Sequence, residues 1–515
     1  MVSNIKHIKK NHKQTESNSI IKKGIKKQYY FNKFFNQILK GNTFRKNKIY
    51  SFLIFLIFIS IISTSYEVTN IITVYMDSSS TNVNFIGNGF SPMPTQILIN
   101  GQELTPISTS HTFSDPDNTI KLIWNTDVTI CNSMFFSCQM KKVDLSEFNL
   151  SNVVDMTKMF SACSKLEEVI ISNNPISSNN ENSYIDLSKV ASMNSMFSSC
   201  IVLTSLNFSR IKAPSLVDMT KMFYGCSKLV SLDFSYFDAT QVTSLYYFCY
   251  NCGILLNINF TNSHLSSIEN IGGIFYNCKK LLYLDLTTFN LSEVTNAVTA
   301  FCQCIDLKEI KFNQIYKMSK ITSTKKMFQT CKNITSLDLS FIDTSNVNDM
   351  DYMFNNCYEL QYLNIPNFNT TSVTSATCFF VNTPKLKYIN GYSLTDNEKM
   401  NSNFNDLPEG VTFCINEGST TIISNLENKG GINDCSTICT LFNQKSIPSE
   451  SSKCYSSCIH DELYHYEYNN ICYLECPTNT RPNIIDNVCE IYDDNEDTTH
   501  NINLDQEGKE EDIEK

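Results

Sequence analysis

The segment "MFYGCSKLVSLDFSYFDATQV", residues 222–242, contains the unit from which most of this chain is built. A Met-Phe pair, a cysteine three residues after the phenylalanine and then spaced leucines return in the same order along the chain. Successive units are 25 to 27 residues apart, except for one step of 37 residues that contains the polar segment 172–184. A fixed period of this length is typical of solenoid repeats, so the sequence predicts about ten stacked units over residues 131–395. The Met position is occupied by Met134, Met159, Met196, Met222, Phe248, Ile274, Ala300, Met327, Met353 and Phe379.

The first half of each unit has the apolar spacing of a helix. In "SNVNDMDYMFNNC", residues 345–357, the apolar positions at steps of 3, 4 and 3 are Val347, Met350, Phe354 and Cys357. This spacing places side chains on one face of an α-helix, and Ser345 is suited to be its N-cap. We therefore expect a short helix at this point in every unit.

The second half of each unit has the pattern of a short strand. In "ELQYLNIPNF", residues 359–368, the apolar residues are Leu360, Leu363 and Ile365, and they alternate across Asn364. Such alternation indicates a strand with one buried face. Neither half can bury its apolar face alone, whereas stacked units place strand beside strand and helix beside helix. The predicted fold class is therefore α/β: a solenoid of about ten strand-helix units, with a β-rich N-terminal cap and a small disulfide-rich C-terminal module.

The unit also carries a family resemblance. After its cysteine it has the leucine-rich-repeat frame L-x-x-L-x-L, as in "LLYLDL", residues 281–286. The full unit, seen best in "MFQTCKNITSLDLSFIDTSNVNDM", residues 327–350, resembles the BspA-like leucine-rich repeats of bacterial and protist surface proteins. The resemblance covers about half of the chain. It implies a cell-surface or secreted interaction surface, often adhesive, with no shared catalytic activity, and it does not identify a ligand.

The N-terminal region has the order expected of a secretory signal. Residues 1–48 contain thirteen Lys or Arg and one acid, Glu16, and the uncharged, mostly apolar residues 49–65 follow. This order predicts a cleaved signal peptide or an uncleaved signal-anchor in a membrane, with everything after Tyr66 outside the cell. A buried core helix or a misassigned start would also explain the pattern. Membrane topology explains the basic arm better than nucleic-acid binding does, so no nucleic-acid partner is expected.

Seven segments make up the predicted organisation, and the two charged ends are expected to be disordered. They are a basic arm (1–48), the signal or signal-anchor (49–65), a β-rich N-terminal cap (66–130), the solenoid (131–395), a linker and C-terminal cap (396–434), a cysteine-rich module (435–490) and an acidic tail (491–515).

The cysteine that recurs once per unit leaves several chemistries open. Neighbouring units bring equivalent positions to about 5 Å, but parallel Cβ vectors disfavour disulfides between them. Zinc needs four convergent ligands, which a linear column does not offer, and no histidine is placed to activate a nucleophile. We expect these thiols to be reduced, buried core residues. They are Cys138, Cys163, Cys200, Cys226, Cys252, Cys278, Cys304, Cys331 and Cys357.

Eight further cysteines crowd into the C-terminal region, where "CSTIC", "CYSSC" and "CYLEC" recur. An even count at regular spacing in a segment poor in core residues predicts a disulfide framework. Zinc is the alternative, although the C-x3-C spacing is loose for it. The segment "CYLECPTNTRPNIIDNVC", residues 472–489, is similar to growth-factor-receptor-like cysteine-rich repeats of protist surface proteins. The eight are Cys414, Cys435, Cys439, Cys454, Cys458, Cys472, Cys476 and Cys489.

The central residue of each predicted strand is polar in most units. Strand alternation places this position on the open face of the sheet. A face rich in carboxylates and amides suits a basic protein surface, a glycan or a divalent cation, and the alternative is a solvated face that keeps the sheet soluble. The column is Asp144, Ile170, Asn207, Asp233, Asn259, Asp285, Lys311, Asp338, Asn364 and Asn390.

Six N-x-Ser/Thr sequons predict glycosylation if the chain is secreted. They start at Asn149, Asn207, Asn259, Asn290, Asn333 and Asn369. Glycans on Asn207 and Asn259 would obstruct binding at the open strand face, so the later half of that face, from Asp285 to Asn364, is the expected contact region. The residues assigned to the predicted partner-binding face are Asp233, Asp285, Lys311, Asp338 and Asn364.

These features predict a non-enzymatic cell-surface or secreted protein that recognises an extracellular protein or glycan through the concave face of its solenoid. The sequence contains no glycine-rich phosphate loop, no HExxH motif and no nucleophile beside a base, so no cofactor, metal or catalytic residue is expected. The alternative function is a structural coat or matrix component that packs against copies of itself.

Overall fold

The computed structural model describes residues 70–77, 82–171, 184–415, 418–427 and 429, and the backbone of short strands between 445 and 491. By its internal contacts the chain divides into two units, Met1–Val68 and Thr69–Lys515. The first unit, which includes the predicted signal at 49–65, lies outside the described residues, as does the acidic tail after Ile491. Of the helices in the described part, none is both long and apolar enough to cross a membrane.

Short strands make up most of the regular structure in the described part. In chain order they are β1 (Asn70–Asp77), β2 (Val83–Asn84), β3 (Gln96–Ile99), β4 (Gln102–Glu103), β5 (Ser110–His111), β6 (Asp117–Trp124), β7 (Met140–Glu147), β8 (Glu168–Ile170), β9 (Ile185–Asp186), β10 (Ser205–Asn207), β11 (Ile211–Lys212), β12 (Ser231–Asp233), β13 (Asn257–Asn259), β14 (Tyr283–Leu286), β15 (Glu309–Phe312), β16 (Ser336–Asp338), β17 (Tyr362–Asn364), β18 (Tyr388–Asn390), β19 (Thr412–Cys414), β20 (Lys445–Ile447), β21 (Glu450–Tyr455), β22 (Tyr466–Tyr468), β23 (Ile471–Tyr473), β24 (Thr480–Asn483) and β25 (Val488–Ile491). The described helical elements are α1 (Glu398–Asn401), a 3-10 helix (Ser402–Asp406) and α2 (Thr420–Leu426).

A mainly antiparallel sheet precedes the repeats. Its strand order is β4-β3-β6-β1-β7-β8. β1 pairs with β6 along its whole length, from Asn70 opposite Trp124 to Asp77 opposite Asp117. β7 pairs antiparallel with β1 and parallel with β8. This strand therefore joins the antiparallel sheet to the first parallel pair of the solenoid.

The repeats form a solenoid in which strands one unit apart pair in parallel and in register. Leu232 in β12 pairs with Leu206 in β10 and with Ile258 in β13, and all three are buried. A second ladder of single parallel bridges runs from Ile130 to Ser375 and joins ten turns. The predicted solenoid of about ten turns is therefore confirmed.

A series of tight turns takes the place of the predicted helix in each described unit. In an α-helix, a backbone N–H donates to the carbonyl four residues back. Here the Cys226 N–H donates to the Phe223 carbonyl three residues back (3.2 Å), and the Phe223 N–H donates to the Phe248 carbonyl of the next turn (2.8 Å). The expectation of strand-helix units is therefore wrong, together with the α/β class and the helix N-cap at Ser345. The fold is a β-solenoid of strand-turn units.

Left-handed backbone conformations at two positions explain why these segments turn. They lie immediately before the Met position and immediately before the cysteine, as at Lys221 (φ 56°) and Gly225 (φ 72°). Glycine and asparagine adopt this conformation most readily. Four of the ten residues that precede the cysteine position are asparagines, namely Asn251, Asn277, Asn356 and Asn382. The tight turns direct apolar side chains inward at nearly the spacing of an α-helix. Apolar periodicity therefore does not distinguish tight turns from a helix, whereas the repeated asparagine before the cysteine does.

Phenylalanines that follow the Met position stack along the interior of the solenoid. The rings of Phe135, Phe160, Phe197 and Phe223 stack in succession, with centroids 5.4, 5.2 and 5.6 Å apart. All four are fully buried. Aromatic pairs at such distances contribute about 0.5–1.5 kcal/mol each beyond the burial of their area. Side chains therefore reinforce the same repeat that the backbone hydrogen bonds define.

Short helices follow the last described turn. β19 adds a parallel strand beside β18, and α1 begins after Asn397, whose side chain accepts the Lys399 N–H (2.8 Å). The side chain of Asn403, which is buried, accepts the Phe379 N–H (2.9 Å). This contact connects the helical segment to the backbone of the last turn.

Replacing Gly225 with alanine tests the turn structure, because the two conformations predict opposite signs. In a helix, Gly→Ala would stabilise the protein by about 1 kcal/mol. At a φ of 72°, a Cβ atom instead costs about 1–2 kcal/mol. An added Cβ meets no atom closer than 3.7 Å, so the change reports on the backbone alone. We expect Gly225→Ala to lower the midpoint of urea unfolding.

The matched control is Gly253→Ala in the following turn. Gly253 is not in the left-handed region, and its added Cβ would meet only the Asn277 carbonyl oxygen at 3.9 Å. We expect its free energy of unfolding to change by less than about 0.5 kcal/mol. A higher midpoint for Gly225→Ala than for the unmodified protein would contradict the turn assignment.

Candidate functional site

The cysteine column is a ladder of hydrogen bonds between turns. The Cys226 Sγ donates to the Phe197 carbonyl of the preceding turn, and the Cys252 Sγ donates in the same way to the Phe223 carbonyl (both 3.1 Å). The Phe223 carbonyl also accepts the Cys226 N–H (3.2 Å), so both lone pairs of a buried oxygen are used. Equivalent thiol contacts of 2.9–3.2 Å are made by Cys163, Cys200, Cys278, Cys304, Cys331 and Cys357.

Burial determines the protonation state of these thiols. Loss of hydration raises the pKa of Cys163 and of Cys357 to about 12, and it raises the pKa of Cys226 well above the ordinary value. A neutral thiol donates a hydrogen bond but is a poor nucleophile. All nine cysteines of the column are buried and free of disulfides. The structure therefore places them in the core, as neutral donors.

The two ends of the column differ from its middle. The thiol of Cys138, in the first turn, lies 3.7 Å from the Phe136 carbonyl of its own turn. At the other end Thr383 occupies the cysteine position, and its hydroxyl donates to the Phe380 carbonyl of its own turn (2.8 Å). The contact between turns therefore belongs to the eight cysteines between these ends.

The polar column of the strands holds the corner that follows each strand. Asp233 Oδ1 accepts the Ser235 N–H, and Asp285 Oδ1 accepts the Thr287 N–H (both 2.9 Å). A side-chain oxygen that accepts the amide two residues further on forms an Asx turn, which stabilises a change of chain direction. One oxygen of each of these side chains is therefore engaged by the protein's own backbone.

The residues of the predicted partner-binding face differ in exposure. Asp285 and Lys311 are exposed, Asp233 and Asp338 are half-buried, and Asn364 is fully buried. The Asn364 Nδ2 donates to Asp338 Oδ1, and the Nδ2 of Asn390, which is also buried, donates to Asn364 Oδ1 (both 2.9 Å). These two asparagines depart from the expected open face, since both side chains are buried. Among the described residues, no group of three or more His, Cys, Asp or Glu could hold a metal ion.

Two of the six sequons are exposed and four are half-buried. Asn207 and Asn259 are the exposed ones, and Asn149, Asn290, Asn333 and Asn369 are the half-buried ones. The Asn259 Nδ2, which a glycan would modify, donates to Asp233 Oδ1 (3.1 Å). Glycosylation of these residues stays a prediction.

The side chain of Cys414 is the one member of the C-terminal cysteine set that the structure describes. Cys414 is buried in β19 and is disulfide-bonded. The side chains of the other seven cysteines lie outside the described residues. The disulfide framework after residue 434 therefore stays a prediction.

Five tyrosines form a surface cluster on the turn segments of three successive units. Tyr224, Tyr250 and Tyr276 occupy equivalent positions, and their rings stack with centroids 4.9 and 4.5 Å apart and planes 7° apart. Tyr247 is tilted against Tyr250 (4.7 Å), and Tyr246 stacks on Tyr247 (3.9 Å). All five side chains are partly exposed. We call this surface the tyrosine cluster.

Two glycines of the next unit make room for the cluster. Gly272 and Gly273 occupy the positions that Tyr246 and Tyr247 hold one unit earlier. A Cβ added to Gly272 would meet the Tyr246 ring at 3.0 Å, and one added to Gly273 would overlap the Tyr247 ring. Sequence reasoning did not single out these residues. The available signal was a tyrosine two residues after the Met position in three consecutive units, with a Gly-Gly pair directly before the Met position of the third unit.

The phenols of Tyr246, Tyr250 and Tyr276 are neutral at physiological pH. Burial raises the pKa of Tyr246 to about 12, with a further contribution from Tyr247 beside it. Burial also raises the pKa of Tyr250 and of Tyr276. A neutral phenol both donates and accepts hydrogen bonds. The cluster therefore combines apolar rings with uncharged hydroxyl groups.

The turn segments two units further on carry charged groups instead. Lys325 Nζ lies between the carboxylates of Asp349 (2.9 Å) and Asp351 (3.0 Å). Burial opposes the ionisation of Asp351, but hydrogen bonds from Ser375, Lys325 and Thr377 outweigh it and lower the pKa of Asp351 to about 2. The ammonium group of Lys325 pairs with both carboxylates within the protein, so this network differs in character from the tyrosine cluster.

Comparison with known families agrees with the repeat architecture. A family model described as "Mycoplasma protein of unknown function, DUF285" matches residues 108–205, 129–255, 191–313, 247–336 and 299–410. The overlapping matches run from 108 to 410 and cover more than half of the chain. The chain belongs to this family. Its members are described by their sequence and not by an activity, so membership assigns no ligand.

Two further comparisons add little to the family match. None of the curated proteins compared with the chain is a match. A solved structure described as "Crystal structure of TLR13-ssRNA13 complex" is 15% identical, with a TM-score of 0.18, over 57% of this chain and 54% of that one. The chain thus spans about half the length of that structure's chain. The fold described above rests on the hydrogen bonds of this chain itself.

The burial of the cysteine column predicts two classes of free thiol. In the native protein at pH 8, we expect an alkylating reagent to modify Cys378, which is free and half-buried, well before it modifies Cys226. After unfolding without reductant, Cys226 and its column should be labelled fully. Mass spectrometry of the peptides measures both rates. Native labelling of Cys226 as fast as that of Cys378, or no labelling after unfolding, would show that Cys226 is not a buried free thiol.

The raised thiol pKa values predict a loss of stability at alkaline pH. An unfolded thiol ionises near pH 8.5–9, whereas Cys357 in the folded state stays protonated until about 12. In this pH range the folded state keeps a proton that the unfolded state releases. The stabilisation that the Cys357 thiol gives the folded state is therefore complete below the pKa of the unfolded thiol, and it is lost as pH rises towards 12. Each such thiol lowers the free energy of unfolding by about 1.4 kcal/mol per pH unit in this window.

The variant Cys357→Ala isolates this effect. It should be less stable than the unmodified protein at pH 7, because it leaves a cavity. Between pH 9 and 11, however, its free energy of unfolding should fall less steeply, by about 1 kcal/mol per pH unit. Urea unfolding at each pH measures both slopes, and parallel slopes would contradict the assignment.

Proposed function

We propose that this chain is a non-enzymatic recognition protein of the cell exterior, which holds a protein or glycan partner against the turn segments of its solenoid. The observation that carries the proposal is the tyrosine cluster. Tyrosine is enriched at binding hot spots, because its ring supplies a large contact area and a hydroxyl group while losing few rotamers. A cluster of five on consecutive turns is the largest such feature that we find on the described surface.

The cluster is rigid before a partner arrives. The Tyr250 ring is stacked between Tyr224 and Tyr276, and the rings of Tyr246 and Tyr247 lie against Gly272 and Gly273. Side chains that are already ordered lose little entropy on binding. Partly exposed rings contribute less to the stability of the fold than buried rings do. The geometry therefore favours a role in recognition over a role in folding.

The tyrosine cluster is a better contact region than the predicted strand face. On that face Asn364 is buried, and Asp233 and Asp285 each use an oxygen to hold a corner of the chain. Asp285 and Lys311 nevertheless remain exposed, so the strand face is the rival surface to be tested.

A position outside the cell is supported by three features. Residues 49–65 have the pattern of a secretory signal or signal-anchor. Cys414 is disulfide-bonded, and disulfides persist in oxidising compartments. Sequons on Asn207 and Asn259 are exposed. Chemistry on a substrate is not part of the proposal, because the column thiols are neutral and buried.

The experiment presents the purified full chain to a panel of immobilised extracellular proteins and glycans. We expect saturable binding to at least one of them, and we expect Tyr250→Ala to weaken it by about thirtyfold, the loss typical of a hot spot. Surface plasmon resonance measures the dissociation constants. Circular dichroism and the unfolding midpoint show whether each variant is folded.

Two variants serve as controls for this experiment. Tyr358→Ala removes a tyrosine that is 38% exposed and lies outside the cluster, so binding should be retained. Asp285→Asn removes a charge from the strand face but keeps the oxygen that accepts the Thr287 N–H. Loss of binding in Asp285→Asn with retention in Tyr250→Ala would place the partner on the strand face. Ordered filaments of the chain, without binding to any immobilised ligand, would favour the coat function instead.

A further inference from the structure

We infer that the partner of the tyrosine cluster is an uncharged glycan, one sugar ring of which packs on the outer face of Tyr224 beside Ser198. This inference rests on the proposed function and narrows it to one class of ligand. It follows from the position of Tyr224 at one end of the stack, the scarcity of charge and the small apolar area that the cluster presents.

The first argument is that Tyr224 is the tyrosine at one end of the stack. Tyr250 is covered on both faces, by Tyr224 and Tyr276, whereas Tyr224 is stacked against Tyr250 on one face. In the preceding turn the equivalent position is Ser198, and Ser161 occupies it one turn earlier. Backbone hydrogen bonds of 2.7 Å, from Ser199 N–H to the Tyr224 carbonyl and from Ala162 N–H to the Ser198 carbonyl, hold these positions in line.

An aromatic face that stands beside serine hydroxyls suits a sugar ring. A sugar has an apolar C–H face, which can pack on the negative face of an aromatic ring. Its hydroxyl groups at the rim both donate and accept hydrogen bonds, as do serine and tyrosine hydroxyls. Ser161 and Ser198 are small, so they leave room above them for a ring that packs against Tyr224.

The second argument is the scarcity of charge at the cluster. The five tyrosines lie at the two residues before the Met position or at the second residue after it. We therefore consider these positions, together with the third residue after the Met position, in the four units from Met196 to Ile274. Among these sixteen residues, Lys221 is the one with a charge. A surface with one charged side chain compensates little of the desolvation of a highly charged ligand, which disfavours a strongly acidic or basic partner.

The third argument is the modest apolar area. None of the five tyrosines is among the large apolar residues classed as exposed, and the ring faces within the stack cover one another. A stable protein interface needs about 800 Å² from each partner, with an apolar core. The cluster offers the edges of rings and one end face, which suits one or two sugar units better than a folded protein.

The test uses the full chain and a panel of defined oligosaccharides, each in a neutral form and in a sialylated or sulfated form. We expect at least one neutral oligosaccharide to bind in saturation-transfer NMR and by calorimetry. Tyr224→Ala should weaken that binding at least tenfold, because the ring face is lost. Tyr224→Phe, which keeps the ring, should bind within about threefold of the unmodified protein, and Tyr358→Ala should be unchanged.

A second variant tests the position of the rings without removing one. Gly273→Ala places a Cβ where the Tyr247 ring lies, so the ring must move. We expect it to weaken oligosaccharide binding while the protein stays folded, as judged by near-ultraviolet circular dichroism. If Gly273→Ala binds the oligosaccharide as tightly as the unmodified protein does, Tyr246 and Tyr247 are not part of the binding site.

Other outcomes overturn the inference in distinguishable ways. Binding of charged oligosaccharides alone, with loss in Lys221→Ala, would show an anionic ligand. Binding of an immobilised protein that is lost in Tyr250→Ala, with no oligosaccharide bound, would leave the proposed function standing and reject the glycan. No binding of any ligand by a folded chain would reject both.

Discussion

The fold depends on backbone hydrogen bonds that pass from each turn of the chain to the next, in register, at every side of the solenoid. They join the strands, as Leu232 with Ile258, and they continue through the tight turns, as Phe223 with Phe248. A chain that leaves few of its backbone groups unpaired needs neither helices nor long strands to be ordered. The regular period of the sequence follows from this constraint, because an insertion within a paired segment would shift the register of its ladder.

Many polar residues of the repeat serve this backbone. Aspartates and asparagines after the strands accept the amide two residues further on, and the column cysteines donate to a carbonyl of the preceding turn. A cysteine suits that position because its thiol is small and apolar enough for the core yet can donate one weak hydrogen bond. Residue types that usually indicate ligand binding or catalysis are explained here by the geometry of a corner. Departures from the repeat are not explained in this way.

The tyrosine cluster is such a departure. It arises because a tyrosine stands two residues after the Met position in three consecutive units. In the third of these units, a Gly-Gly pair also takes the positions that Tyr246 and Tyr247 hold one unit earlier. Neighbouring turns lie about 5 Å apart, a distance at which aromatic rings can stack, and the equivalent tyrosines of these units do form a stack. The solenoid thus converts a local change of sequence into a continuous surface across several turns.

The accuracy of sequence reasoning varied between the parts of the unit. The strand after the cysteine was predicted correctly because alternation of apolar residues has one structural meaning over four residues. The segment around Val347 and Phe354 was predicted as a helix, because inward-facing residues of successive tight turns have nearly the same spacing as one face of a helix. Asparagine before the cysteine, as at Asn356, distinguishes the two, since it adopts a left-handed backbone readily.

The amino-acid sequence alone determined the period, the number of turns and the buried columns, because these depend on spacing along the chain and on the burial of apolar side chains. The tertiary structure decided which polar residues are engaged. Asn364 is buried and bonds to adjacent turns, Asp233 holds a corner, and five tyrosines from three units meet at one surface. Contacts between residues about 26 positions apart depend on how one turn sits on the next, and no local pattern in the sequence specifies that.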